Sequence, residues 1–168
     1  MPPAMHEARL GTFYFAYFAY LGAFGAYFSL WLAGRGYTPA QISLVLAVPQ
    51  MLRIFAPAAW GWLADHTGAR RQIVMVSSLA AALAFTSIGA TGSLDGVLLA
   101  VAAMGLFSSG ILPLVEATTL AVLAGRPGSY GPVRLWGSVG FMASVMAVGA
   151  LLDVRPVAWL LPVVSVLM

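Results

Sequence analysis

The chain has 168 residues, of which 61% are hydrophobic and 8% charged, with a formal net charge of +3 and a mean hydropathy of +0.94. Soluble domains carry roughly one-quarter charged residues, so water is excluded as the main solvent of this chain. Lysine is absent, and the arginines that carry the net charge sit mainly in short loops where they can set topology and are not read as a nucleic-acid-binding patch; without cysteine, neither disulfides nor thiolate metal sites are available.

Apolar runs near or above the ~20 residues that cross a ~30 Å hydrocarbon core fall at about 11–33, 40–63, 73–94, 97–124 and 133–152, and a sixth starts near 156. Runs of this length without period-two alternation must satisfy their backbone internally as helices. The expected class is therefore all-α integral membrane. The first run, Gly11 to Ala33, is too long for a signal-peptide core and is read as span one. Its Tyr17, Tyr20, Phe24, Tyr27, Phe28 and Trp31 follow three-and-four spacing, a face that either lines a solute cavity or packs against helices and lipid.

Turn formers and charges separate the runs at 34–39, 65–71, 91–96, 125–132 and 153–156, and short loops predict antiparallel neighbours. Arg9, Arg70, Arg71, Arg126 and Arg134 fall on one side of this alternation, against Arg35 and Arg155 on the other, which places the N-terminus in the cytoplasm. Gly22 with Ala26, and Gly140 with Ser144, have the spacing that lets helix backbones approach closely.

Two ionisable residues lie well inside spans: Arg53 in span two and Glu116 in span four. Each costs roughly 2.5–3.5 kcal/mol at a span centre, so each needs a partner or a wet cavity. Arg53 is expected to face the bundle interior, either to contact solute or to partner Glu116. A hairpin about Gly125 would bring Glu116 and Arg134, each nine residues from it, to similar depth. If the loop instead runs to Pro132, Arg134 is a marker of the cytoplasmic surface. Pro49 and Pro57 flank Arg53, and Pro113 precedes Glu116, so kinks are expected beside the charges. No G-x-S-x-G is present and both histidines, His6 and His66, lie near span ends, so an intramembrane enzyme is disfavoured.

Gly61-Trp-Leu-Ala-Asp-His-Thr-Gly-Ala-Arg-Arg71, between spans two and three, resembles the signature loop of the major facilitator superfamily. The resemblance implies that Gly61, Asp65, Gly68, Arg70 and Arg71 gate the cytoplasmic side, although His66 and Ala69 stand where basic residues are usual. Pro113-Leu-Val-Glu116, followed by Tyr130-Gly-Pro-Val-Arg134-Leu-Trp-Gly-Ser-Val-Gly-Phe141, is similar to the helix four to five region of lactose-permease-like symporters. It is also similar to the phenylpropionate-permease-like and nucleoside-proton-symporter-like branch. By that likeness Glu116 and Arg134 match the charged pair that contacts the solute, and Phe141 the stacking aromatic. Phenylalanine in place of tryptophan there puts galactoside specificity in doubt.

These readings converge on a six-helix N-terminal bundle of two three-helix repeats, cut short within helix six and completed by a missing C-terminal half. The expected function is alternating-access transport of a small polar solute of sugar, nucleoside or aromatic-acid type, without cofactor and with a proton as the coupling ion. The expected binding residues are Glu116, Arg134, Phe141, Arg53, Tyr20, Phe24 and Tyr27. The expected partners are the solute, the lipid bilayer and the C-terminal half, in an inner, multi-pass setting. A proton-coupled exporter, or a half-transporter that dimerises or assists assembly, are the alternatives.

Overall fold

The computed structural model describes residues 3–168, with side chains from residue 6 onward apart from that of residue 127. Among the described residues all regular structure is helical. The α-helices are α1 (Pro3–Gly34), α2 (Pro39–Thr67), α3 (Arg70–Ser87), α4 (Leu94–Ser109), α5 (Ile111–Val122), α6 (Tyr130–Val154) and α7 (Leu160–Leu167), with single 3-10 turns at Ile88–Ala90, Pro127–Ser129 and Val157–Trp159. Five segments are long and apolar enough to cross a membrane: His6–Gly34, Pro39–Thr67, Arg70–Ala90, Leu94–Val122 and Tyr130–Val154. Val157–Leu167 is a shorter apolar helix.

The helix limits follow local chemistry. Thr38 caps α2 reciprocally with Gln41 and Pro39 opens its first turn, while Gly68, at φ 66°, ends it in the left-handed region that a Cβ disfavours. The expected 65–71 loop therefore contracts to Gly68 and Ala69, because Asp65, His66 and Thr67 complete α2 and Arg70 already opens α3. Span four is broken near Gly110. Pro113 lacks the N–H that would bond the Ser109 carbonyl, and its ring crowds that group, which accounts for the break.

The chain packs as two compact units, residues 1–34 with 118–168, and residues 35–117. In the first unit α6 runs along α1 and buries a stripe of Val133, Gly137, Gly140, Ser144 and Val148 at three-and-four spacing. A Cβ at Gly140 would overlap the Phe15 backbone carbonyl, and one at Gly22 would lie 2.5 Å from Ser144 Oγ. The Tyr27 hydroxyl donates to the Val145 carbonyl at 2.8 Å. Small residues thus bring two backbones together where the hydrophobic effect supplies no drive.

In the second unit α2 and α3 each pack against α4 and touch one another little. Two residues turn the chain between them, and both helices then pack mainly on the α4 surface. Gly105 lies close to Pro49, so this proline sits at a helix crossing. At the break in span four, Trp60 Nε1 donates to the Leu106 carbonyl at 2.8 Å and Ser109 Oγ donates to the same oxygen at 2.7 Å. The two side chains satisfy a carbonyl that lipid could not.

Candidate solute-binding site and gating turn

Four turns of α1 present the aromatic series found by spacing, and most of it is packed. Tyr20, Phe28 and Trp31 are buried, whereas Tyr17, Phe24 and Tyr27 are half-buried. Phe24 stacks on Phe28 with centroids 4.7 Å apart, and Phe28 on Trp31 at 5.8 Å. Tyr27 is committed at its hydroxyl to the α6 backbone and leans over Gly149.

Arg134 is the fifth residue of α6, which begins at Tyr130, so it stands about 6 Å along the helix from its start. The guanidinium carbon lies 4.3 Å from the centroid of the Phe18 ring and 5.3 Å from that of Tyr14. Tyr14 is fully buried, and its hydroxyl donates to Oγ1 of the buried Thr119 at 3.3 Å. A cation over two ring faces is held electrostatically, by up to about 2 kcal/mol where water is excluded. Phe141 lies seven residues after Arg134, on the same face of α6 and about 10 Å further along, and is exposed; Ser138, also exposed, lies between them. The face therefore offers guanidinium donors, a hydroxyl and an aromatic wall in line.

Tyr14, Phe18, Thr119 and Ser138 escaped the sequence reading. Ser138 could have been found by adding four to Arg134, and Phe18 by adding four to Tyr14. The relation of Tyr14 and Phe18 to Arg134 crosses more than a hundred residues of chain, and no local pattern signals it.

In the other unit, Glu116 is half-buried on α5, six residues before its end and three after Pro113. Arg53, expected to face inward, is exposed on α2, with Nη1 3.5 Å from Gln50 Oε1. It makes no ion pair among the described residues, which removes the reading of Arg53 as an ionic partner of Glu116.

The turn between α2 and α3 carries an ion pair, Arg70 Nη2 to Asp65 Oδ1 at 2.6 Å, with both side chains largely exposed. Thr67 Oγ1 accepts from the Ala69 N–H, and the His66 ring stacks on Trp62 at 4.8 Å. Ala69 provides no side-chain cap for α3, and Arg70 and Arg71 add positive charge at the positive end of its dipole. Asp65 offsets one of these charges. Gly61 lies in α2, with open space where its Cβ would be. At the other end of the chain's first unit, Arg126 Nη1 pairs with Glu7 Oε1 at 2.5 Å and ties the loop before α6 to α1.

The family model described as the MFS_1 like family matches residues 8–168. This chain belongs to that family. As an MFS_1-like protein it is similar to the maltose permease of Geobacillus stearothermophilus, with 31% identity over 150 residues, covering 87% of this chain and 38% of that protein. It is also similar to the probable 3-phenylpropionic acid transporter of Escherichia coli (strain K12), at 30% over 138 residues, 82% of this chain and 36% of that protein. A crystal structure of the nucleoside transporter NupG superposes with a TM-score of 0.82 at 16% identity, covering 96% of this chain and 43% of that one. That likeness establishes the fold. The MFS_1-like chain thus spans less than two-fifths of the curated relatives it matches, which are named as a permease and a transporter, not as enzymes.

Proposed function

We propose that this MFS_1-like chain is the N-terminal bundle of a secondary transporter that moves a small polar solute by alternating access, with proton symport. The observation that carries the reading is the Arg134 guanidinium, held over Phe18 and Tyr14 inside a membrane-crossing helix and in line with Ser138 and Phe141. A charge kept in a span and held by rings belongs to a solute pathway more readily than to lipid. The names of the relatives support sugar, aromatic acid and nucleoside as solute classes.

In this reading Arg134 and Glu116 hold the solute, Phe141 stacks on it, and Arg53, Tyr20, Phe24 and Tyr27 complete or support its pathway. The Asp65–Arg70 pair across Gly68 latches the cytoplasmic side, with Gly61 and Arg71 beside it, in an inner-membrane protein whose N-terminus is cytoplasmic. A C-terminal bundle supplies the opposite wall.

The test is equilibrium binding of maltose, uridine and 3-phenylpropionate to the protein as its gene encodes it, with Glu116→Ala and Arg134→Ala beside it. Removing one charged partner from a desolvated contact costs about 2–5 kcal/mol, so each variant is expected to lose at least about thirtyfold in affinity for the solute that binds. Unchanged affinity in both would remove these residues from the site.

A further inference from the structure

Arg53 is the fifteenth of the 29 residues of α2, fourteen from either end. At 1.5 Å per residue that is about 21 Å from each end. An arginine side chain cannot cover that distance to reach a headgroup, so snorkelling does not explain it. Its side chain is exposed on the helix, among the exposed apolar Met51, Ile54 and Phe55, and its polar contact is the neutral Gln50 amide at a marginal 3.5 Å. Among the described residues it forms no ion pair. A guanidinium is always charged, and at mid-span it is tolerated facing a polar or ionic counterpart, not hydrocarbon. The counterpart must therefore come from outside these residues, and it must be an anion or accept several hydrogen bonds. Gln50, one turn before it on the same exposed face, adds amide donors that a carboxylate or phosphate oxygen accepts.

We infer that Arg53, with Gln50, holds the negatively charged group of the transported solute, so the solute is a small organic anion and not a neutral sugar or nucleoside. This rests on the transport reading above and narrows it. A guanidinium fork binds a carboxylate or phosphate through two parallel hydrogen bonds, and a neutral hydroxyl compound leaves the charge unmatched.

The experiment presents cells carrying the full gene product with a mixture of 3-phenylpropionate, glucose 6-phosphate, 3-phenylpropanol, maltose and uridine, and measures uptake by mass spectrometry at matched membrane yield. The expected result is uptake of an anion at least tenfold above its neutral competitors, lost in Arg53→Gln and Arg53→Met and retained in good part by Arg53→Lys. Uptake confined to neutral compounds, or anion uptake that survives both neutral variants, overturns the inference and leaves the transport reading standing. If both neutral variants fail to reach the membrane while Arg53→Lys does, the charge serves folding and the inference falls. Uptake of nothing by the unaltered protein contradicts the transport reading and this inference with it.

Discussion

The α1–α6 crossing and the surroundings of α4 use glycine to opposite ends. Along α6, Gly137 and Gly140 belong to one buried stripe, and Gly22 answers from α1, so the glycines let two helices lie against each other over most of their length. At the end of α4 a glycine admits a side chain instead: a Cβ at Gly110 would lie 2.5 Å from the Trp60 ring, and the indole uses that space to reach a carbonyl freed at the break in span four. The first arrangement makes a rigid pair on which Arg134 is mounted. The second makes a satisfied break in the span that carries Glu116.

Gly140→Ala forces a Cβ into the Phe15 backbone, which has no rotamer to yield, and overpacking of this kind costs about 1–3 kcal/mol or more. The thermal midpoint in detergent should fall, and a midpoint equal to that of the unaltered protein would mean that α1 and α6 do not approach as described. Trp60→Phe keeps a ring against Gly110 and removes only the donor. A membrane hydrogen bond is worth about 0.6–1.7 kcal/mol, so the loss should be smaller and should appear as faster amide exchange near Leu106. Asp65→Asn comes last. Its pair with Arg70 is largely exposed, so stability should change by less than about 1 kcal/mol. Uptake, in contrast, should fall if the pair latches one state, and equal uptake would reduce the pair to a surface contact.

Much of the fold was legible because lipid leaves helices few alternatives: runs of twenty apolar residues become spans wherever they occur. The boundaries were less legible. Asp65 and Arg70 read as loop because they are charged, yet a single left-handed glycine suffices to turn the chain, and both belong to helices. Arg134 could be read either as a surface marker or as a site residue, and its depth alone, about one turn into α6, does not choose between them. The ring faces of Tyr14 and Phe18 give it a defined setting, and those lie on a helix far away in sequence. The aromatic series of α1 shows the converse: its period was clear, but which rings pack and which line a pathway depends on α6, for Tyr27 on a single backbone carbonyl. For Arg53 the sequence disclosed the cost of the charge but not its exposure.

The most direct test is Arg134→Lys, which keeps the charge and removes the planar fork that stacks on rings and binds oxygens in pairs. Solute uptake by the full gene product should fall at least about tenfold at unchanged membrane yield, the equivalent of about 1.4 kcal/mol. Uptake equal to that of the unaltered protein would contradict the claim that the guanidinium over Phe18 and Tyr14 is the solute's contact.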